Sequence, residues 1–411
     1  MAPPMFEWWR AGSPQAKRAL VAASLGWMLD AFDVMLYALV LPSLMASLSL
    51  DQKTSGFLQS LMLVSAAIGG LVFGLLADRW GRTRALMLSV LLYSIFTAAC
   101  GFAQSAVQLA VFRILLGLGM GGEWASGAAL VSETWPDRHR AKALAFMQSS
   151  WAIGYMLATL VAWFVQDVAG LDWRAVFYAG VLPALLTFWI RRGVEEPRVW
   201  RESRASSVRV SIGQAIGGPM LLITLALAMM NACTLFAYWG FNTWVPSYLR
   251  APVSSGGIGL SNATMNGLIF ANQVGTWLGY VTFGYISDAI GRKRTYVMYL
   301  LLAAGLVLAY TSTSSVWMLL ALGPVTSFFA TGHFSGFGVV TAELYPTAVR
   351  ATAQGFTYNI GRLASAIAPT VAGSVAQSHG YSAALALASA AYIAASLFWF
   401  VIPETRGRTI Q

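Results

Sequence analysis

The sequence Gly74-Leu-Leu-Ala-Asp78-Arg79-Trp-Gly81-Arg82-Thr-Arg84 decides the fold, because it occurs twice. It returns 210 residues later as Gly284-Tyr-Ile-Ser-Asp288-Ala-Ile-Gly291-Arg292-Lys-Arg294. Each copy lies between two long apolar segments. A charged turn that joins apolar segments once in each half of a chain predicts two repeated bundles of membrane helices.

A second repeat keeps the same spacing. Glu133-Thr-Trp-Pro136-Asp-Arg-His-Arg140-Ala141 aligns with Glu343-Leu-Tyr-Pro346-Thr-Ala-Val-Arg350-Ala351, again 210 residues later. Register kept over this length predicts two similar six-helix bundles, related by a pseudo-two-fold axis along the membrane normal. We expect the N-terminal bundle over residues 1–192, a polar cytoplasmic linker over 193–214 and the C-terminal bundle over 215–411.

The composition is that of an integral membrane protein. The 411 residues are 57% hydrophobic and 10% charged, whereas a soluble domain carries about 25% charged residues. Because about 20 apolar residues span a bilayer as a helix, the apolar segments predict twelve transmembrane helices and an all-α fold. Their expected bounds are 19–41, 55–77, 84–103, 106–131, 141–165 and 173–192, then 217–243, 263–287, 294–312, 315–342, 350–376 and 381–402.

The lysines and arginines predict the orientation. On the side of the two termini there are 21 of them, and the opposite side has three, Lys53, Arg174 and Arg250. Cytoplasmic loops are enriched in these residues, so both termini and the linker are expected in the cytoplasm and the protein in the plasma (inner) membrane, among its lipids. Because the charges cluster in short loops between apolar segments, the net charge of +10 does not indicate a nucleic-acid partner.

Three acidic residues inside predicted helices are candidates for proton coupling: Asp30 and Asp33 in helix 1 and Glu123 in helix 4. Ionisable groups within a membrane are costly and mark function by default. Asp30 and Asp33 share a helix face, and two neighbouring carboxylates cannot both ionise cheaply in a poor dielectric. At least one is therefore expected to hold and exchange a proton. Glu123 follows the glycines of Gly119-Met-Gly-Gly, which allow close helix packing, and is expected to take a proton or pair with an arginine. A static hydrogen bond is the alternative for each acid.

Arg362, in helix 11, is the main candidate for substrate binding. A guanidinium cannot lose its proton, so in mid-membrane it needs an anion, and a substrate carboxylate suits its planar geometry. Tyr358 and Asn359 are expected on the same face. The alternative is a permanent pair between Arg362 and a buried acid. Further candidates for the cavity, each with core packing as its alternative, are Gln148, Trp151, Tyr155, Asn272, Gln273, His333 (the repeat equivalent of Glu123) and Trp27 or Tyr37, whereas Arg113 is expected to be structural.

The duplicated loop is expected to form a cytoplasmic gate. Small Gly74 would let two helix ends approach, and Gly81 permits a tight turn. A carboxylate at Asp78 can cap a neighbouring helix and pair with an arginine, latching the halves when the outer side is open. The alternative is that these charges only anchor topology. The proposed members are Gly74, Asp78, Arg79, Gly81, Arg82, Asp288, Gly291 and Arg292.

These motifs resemble the major facilitator superfamily over nearly the whole chain. The Gly74–Arg84 loop matches the signature between helices 2 and 3 of that superfamily, and Arg113-Ile-Leu-Leu-Gly117 resembles its helix 4 motif. Asp30-Ala-Phe-Asp33, Gly119-Met-Gly-Gly-Glu123-Trp124 and Tyr358-Asn359-Ile-Gly361-Arg362 resemble the sialate and monocarboxylate proton symporters, and also the aromatic-acid proton symporters. Pro403-Glu404-Thr405-Arg406-Gly407 is shared with sugar porters and selects no substrate.

The buried charges and the resemblance predict proton-coupled symport of a small organic acid by alternating access. The acid is expected to be a monocarboxylate such as lactate or pyruvate, or an aromatic or sugar acid. The main alternative is a proton-coupled sugar or polyol symporter, in which Arg362 would be locked in an internal pair. An enzyme is not expected, because no set of nucleophile, base and orienting residue is evident, and neither a cofactor nor a metal is expected. By resemblance, the protein is expected to act as a monomer.

Overall fold

The computed structural model describes residues 7–185, 189, 220–345 and 347–406, and within these ranges it is all helical. After a short helix, Glu7–Ala11, the N-terminal half begins with α1, whose N-cap Ser13 accepts a hydrogen bond from the backbone N–H of Ala16. The helices of this half are α1 (Pro14–Leu48), α2 (Gln52–Trp80), α3 (Arg82–Cys100), α4 (Ala106–Thr134), α5 (Asp137–Trp163) and α6, which begins with Trp173–Tyr178. The predicted end of helix 6 lies mostly outside the described residues.

The C-terminal half repeats this plan. Its helices are α7 (Leu221–Arg250), α8 (Asn262–Ile290), α9 (Arg292–Thr311), α10 (Val316–Gly332 and Phe337–Leu344), α11 (Thr347–Ser365 and Ala368–His379) and α12 (Tyr381–Leu397). Two helices are interrupted: α10 by a 3-10 turn at His333–Gly336, and α11 at residues 366–367, after which Pro369 lies in the first turn of the second segment. Proline has no backbone N–H to donate and is tolerated in the first helical turn.

Nine helices among the described residues are long and apolar enough to cross a membrane. Helices α8 and α11 are not among them. Both carry more polar side chains, such as Asn272 and Gln273 in α8 and Asn359 and Arg362 in α11. Asn272, Gln273 and Arg362 are buried, whereas Trp277 and Leu278 of α8 and Leu363 of α11 are exposed. The two helices therefore bury polar side chains in the protein and keep apolar ones on the outer surface.

Glycines bring helices of the N-terminal half into close contact. A methyl group at Gly121 of α4 would collide with the carbonyl oxygen of Ala66 in α2, and one at Gly122 would collide with the ring of Phe73. The packing predicted for the glycines before Glu123 is therefore confirmed. The equivalent glycine contact in the C-terminal half joins Gly332 of α10 to the Gly279 carbonyl oxygen of α8, 2.9 Å from an added methyl group.

The turns at Gly81 and Gly291 mark one end of the molecule, called here the loop end. Gly81 has φ of +117° and Gly291 has φ of +104°, which L side chains rarely adopt, so the tight turn predicted from these glycines is confirmed. A methyl group at Gly74 would have no described atom within 4 Å, so no described neighbour requires glycine there in this conformation. The gate role of Gly74 stays a prediction.

The two halves meet at the opposite end, called here the far end. Thr370 donates a hydrogen bond to Ser60 over 2.8 Å, and Asn262 donates one to Asp167 over 2.6 Å. Arg250 reaches Ser43 at 3.2 Å. Each of these bonds joins a residue of the N-terminal half to one of the C-terminal half, so the far end is closed in this conformation.

Candidate functional site

A cavity lies between the two halves. The N-terminal half contributes side chains from α1, α4 and α5, and the C-terminal half contributes side chains from α7, α8, α10 and α11. The lining residues are Trp27, Met120, Gln148, Trp151, Leu235, Tyr238, Trp239, Tyr280, Phe334, Tyr358 and Arg362.

Arg362 is 5% exposed and lines this cavity, as predicted. The ion pairs between described side chains, with N–O distances up to 4.0 Å, join other residues: Arg82–Glu133, Arg174–Asp172, Arg292–Asp288 and Arg292–Glu343. Arg362 interacts electrostatically with Asp30 and Glu123 across the interface between halves. Its guanidinium is thus near two acids but in direct contact with no described carboxylate, which leaves it able to bind an added anion.

Glu123 is fully buried. Its carboxylate lies against Gly26 of α1, where any larger side chain would collide with Oε1. Neither carboxylate oxygen has a hydrogen-bond partner among the described residues. An ionised carboxylate in such a place is very costly, so this geometry favours a protonated Glu123.

Asp30 and Asp33 are both buried in α1 but have different neighbours. Asp30 interacts with Glu123 and Arg362 at the interface between halves. Asp33 turns into the N-terminal bundle, where it neighbours Thr97 of α3 and Gly180 in the 3-10 turn after Tyr178. Asp33 also interacts electrostatically with Asp30, as their shared helix face predicts, and the proton-coupling role of both acids stays a prediction.

An aromatic chain forms much of the cavity wall. Trp27 and Trp151 have ring centroids 4.6 Å apart, and Trp151 meets Trp239 edge-on at 6.2 Å. The indole N–H of Trp151 donates a hydrogen bond to the Tyr238 hydroxyl over 2.5 Å. Trp151 and Tyr238 belong to different halves, so this bond crosses the cavity interface. Flat rings around an arginine make a site suited to a planar anion.

The structure brings some of the remaining predicted residues to the cavity and not others. Gln148, Trp151, Tyr358 and Trp27 line it. Asn359 donates to the Gly355 carbonyl and its side-chain oxygen faces Gly70 of α2. The structure also does not bring Tyr155, Asn272, Gln273, His333 or Tyr37 to the cavity wall.

The residues that do not line the cavity pack inside one of the two bundles. His333 packs against Phe334 at 4.4 Å and Tyr296 at 6.1 Å inside the C-terminal bundle, while Phe334, the next residue in the 3-10 turn, lines the cavity. Asn272 faces Gly323 of α10, and Gln273 is buried beside it in α8. Tyr155 is fully buried, with its hydroxyl near that of Tyr310.

Two arginine residues outside the cavity are structural. Arg113 donates to the Leu58 carbonyl over 3.3 Å and to Gln59, and its guanidinium lies 3.7 Å from the ring centre of Tyr37. This arrangement bears out the structural role expected for Arg113. Arg250 belongs to the far end described above.

Sequence reasoning missed Tyr238 and Trp239 of α7, Tyr280 of α8 and Phe334 of α10, all of which line the cavity. Aromatic residues are frequent throughout the chain, at 13% of the total, so their presence in a helix carried no signal. The one usable clue was the adjacent pair Tyr238-Trp239 in the middle of an apolar segment.

The loop end carries the same ion pair in each half. Arg82 lies 2.9 Å from Glu133, and Arg292 lies 2.9 Å from Glu343. Arg292 also pairs with Asp288. The Asp78 side chain falls outside the described part of the structure, and the Arg79 side chain is exposed. Each of these pairs lies within one half, so a latch between halves remains a prediction for another conformation.

Glu404 caps the start of α9. Its carboxylate accepts hydrogen bonds from the backbone N–H groups of Arg292 at 2.9 Å and Lys293 at 3.1 Å, and from those of Thr405 and Arg406. Partial burial acts to raise the pKa of Glu404, but these four N–H groups outweigh it and lower the pKa below its ordinary value. Glu404 therefore stays ionised at neutral pH and holds the end of α12 against α9.

Comparisons with known proteins agree with this architecture. The family model described as Major Facilitator Superfamily matches residues 23–257 and 252–410. A probable 4-methylmuconolactone transporter of Cupriavidus pinatubonensis is 35% identical over 415 residues, 99% of this chain and 95% of the relative. A cis,cis-muconate transport protein of Acinetobacter baylyi is 31% identical over 398 residues, 93% of each chain. The partially occluded inward-open xylose transporter XylE from E. coli shares the fold, with a TM-score of 0.78, 18% identity and coverage of 97% of this chain and 100% of that chain.

The class of protein follows from the fold and these matches. Two six-helix bundles around a central cavity define a multi-pass membrane transporter of twelve transmembrane helices, and not an enzyme. The chain belongs to the Major Facilitator Superfamily, and is a secondary transporter.

Proposed function

We propose that the protein is a proton-coupled symporter for a small organic acid, and that its preferred cargo is a planar carboxylate. The observation that carries this proposal is the Arg362 guanidinium, which lines the cavity between the halves without an ion pair to any described carboxylate. A carboxylate on the substrate supplies the missing anion through two parallel N–H···O bonds. The surrounding tryptophan and tyrosine rings supply flat apolar contact.

The proton step uses the acids that face Arg362. In the empty carrier one acid, Asp30 or Glu123, is ionised and balances the guanidinium. A proton neutralises that acid when the substrate carboxylate takes its place at Arg362. The two halves then change their relative tilt with no uncompensated charge at the centre, and one proton with one monoanion moves no net charge. The burial of Glu123 without a hydrogen-bond partner supports this use of acids.

The orientation of the protein in the membrane gives the direction of transport. The loop end and both termini face the cytoplasm in a bacterial inner membrane, as the excess of lysine and arginine on that side supports. The bonds of Asn262, Thr370 and Arg250 close the far end, which faces outward. The conformation described is then one from which substrate leaves to the cytoplasm. We infer that the protein acts as a monomer from its resemblance to the family.

The relatives support an organic cargo. Those named above are described as transporters of 4-methylmuconolactone and of cis,cis-muconate, and a gentisate transporter of Corynebacterium glutamicum is also similar, at 28% identity over 87% of this chain and 81% of that one. A sugar or polyol symporter is the competing function. It requires Arg362 to be held in a permanent internal pair, and no described acid lies within ion-pair distance of it.

The test is uptake into liposomes that contain the purified protein, with protein-free liposomes subtracted because protonated acids cross lipid unaided. Benzoate is the probe, and the external pH is set below the internal pH. We expect the gradient to drive uptake and Arg362→Gln to lower it about 100-fold, since removing one partner of a desolvated charge pair costs 2–5 kcal/mol. Arg174→Gln, an arginine at the far end paired with Asp172, is the matched control.

Two results would overturn the proposal. Carrier-dependent benzoate uptake that ignores the pH gradient removes proton coupling, and uptake that survives Arg362→Gln removes the role of the guanidinium. Inhibition by an uncharged sugar or polyol, with no effect of any carboxylate, would establish the competing function.

A further inference from the structure

The cavity holds one cation and several uncharged hydrogen-bonding groups. Arg362 is the one cation among the described residues that line it. The N-terminal wall adds the indole of Trp27 and the amide of Gln148, and α8 adds the hydroxyl of Tyr280. A substrate carboxylate bound at Arg362 leaves these uncharged groups for the rest of the molecule.

The Trp27 indole is an unsatisfied donor at this wall. The residue is 4% exposed and its Nε1 has no hydrogen-bond partner among the described residues. A buried indole N–H normally has a hydrogen-bond partner, and the lack of that hydrogen bond destabilises the protein. Since the ring lines the cavity and stacks on Trp151 at 4.6 Å, the missing partner fits an acceptor on a bound substrate.

Gln148 and Tyr280 supply both hydrogen-bonding roles. Both line the cavity, Gln148 from the N-terminal half and Tyr280 from the C-terminal half. An amide offers two N–H donors and a carbonyl acceptor, and a phenol donates and accepts. This pair, with Trp27, matches a neutral polar group such as a hydroxyl, an amide or a lactone carbonyl.

A second carboxylate has no comparable partner. The described cation of the cavity is already occupied by the first carboxylate, and the nearby charged groups Asp30 and Glu123 are acids. Desolvating a second negative charge there without a cation is costly. We propose, building on the proposed function, that Trp27, Gln148 and Tyr280 form a neutral polar subsite that selects planar monocarboxylates with an uncharged hydrogen-bonding substituent and rejects dicarboxylates.

The test uses two probes of nearly equal shape: 4-carbamoylbenzoate, with one carboxylate and one amide, and benzene-1,4-dicarboxylate, with two carboxylates. Affinity of each for the purified protein, and of benzoate as the parent compound, is measured by calorimetric titration at pH 7. We expect the amide to bind at least about tenfold more tightly than the dicarboxylate, because a site built for neutral hydrogen bonds rejects a mismatched polar group.

Substitutions then assign the subsite. Trp27→Phe keeps an aromatic side chain and removes the N–H, so it should weaken 4-carbamoylbenzoate about fivefold more than it weakens benzoate, as expected for one hydrogen bond. Gln148→Lys adds a cation and should reverse the preference in favour of the dicarboxylate. Trp399→Phe is the matched control, because this indole is also buried and unpartnered in the described structure but lies in the C-terminal bundle, against Tyr296.

The outcomes separate this subsite from the proposed function. If benzoate binds but the dicarboxylate binds as tightly as the amide, the subsite is wrong and carboxylate transport stands. The subsite is also wrong if Trp27→Phe weakens benzoate and the amide equally. If none of the three acids binds, the proposed function fails and the subsite fails with it.

Discussion

Arg82 and Arg292 occupy equivalent places in the two halves, and each lies 2.9 Å from a glutamate 51 residues later. The middle of the membrane is different. Glu123 of the N-terminal half corresponds to His333, and Arg362 of the C-terminal half corresponds to Ala152, at the same spacing of 210 residues. The loop end is therefore alike in the two halves, whereas the middle of the membrane is not. There the acids come from the N-terminal half and the cation comes from the C-terminal half.

The centre should respond most strongly to substitution. Glu123→Gln keeps the shape of the side chain but cannot exchange a proton, so accumulation driven by a pH gradient should fall about 100-fold if Glu123 carries the coupling proton. Exchange of labelled for unlabelled benzoate, which needs no net proton movement, should continue.

The equivalent position is the control for that experiment. His333→Gln lies off the cavity wall and should change gradient-driven uptake less than about twofold. Equal losses for the two variants would contradict the asymmetry of the centre, and full activity of Glu123→Gln would leave Asp30 as the coupling acid.

Both loop-end ion pairs should stabilise the folded protein, but by different amounts. The Arg292 and Glu343 side chains are 11% and 9% exposed, against 15% and 19% for Arg82 and Glu133, so the C-terminal pair is less screened by solvent. We expect Arg292→Gln to cost about 2 kcal/mol and Arg82→Gln about 1 kcal/mol, measured by thermal unfolding in detergent. The reverse order would show that the exposed fraction does not govern these pairs.

Replacing two glycines of the repeated motif by alanine should affect stability differently. Gly81 has φ of +117°, so Gly81→Ala should cost about 1 kcal/mol through backbone strain. Gly74→Ala has no described atom within reach of the new methyl group and should unfold at the wild-type temperature. A larger loss from Gly74→Ala would indicate that α2 packs there in another conformation.

The smallest expected loss of stability lies at the far end, where Asp51 caps α2 and Ser261 caps α8, 210 residues later. Hydrogen bonds from the Thr54 side chain and backbone N–H lower the pKa of Asp51. A lowered carboxyl pKa adds stability that is complete above the ordinary value of about 3.9 and is lost as pH falls through the folded-state pKa.

Removing either cap should cost about 0.7 kcal/mol at pH 7. For Asp51→Ala the difference from wild type should shrink below pH 4, whereas for Ser261→Ala it should stay constant, because serine does not titrate there. Unfolding temperatures at pH 7 and pH 3 provide the measurement. A constant difference for Asp51→Ala would mean that its charge adds nothing to the cap.

Much of the candidate site was predictable from residue type. An arginine in mid-helix 11 and acids in helices 1 and 4 are costly in a membrane wherever they point, and the structure places Asp30, Glu123 and Arg362 close enough to interact. The direction of a neighbouring residue was not predictable. Asp33 turns toward Thr97 although it lies three residues from Asp30, because both faces of a buried helix are protein and no apolar stripe distinguishes them.

The sequence by itself determined the membrane class, the two-fold repeat and the positive-φ turns, since apolar length, a 210-residue spacing and glycine in a charged turn are local properties of the chain. Only the tertiary structure decided which aromatic residues surround Arg362. Tyr238, Tyr280 and Phe334 come from three helices distant in sequence. Their meeting depends on how each helix is rotated when the bundles pack, and that rotation is set by contacts between helices and not by the pattern within any one of them.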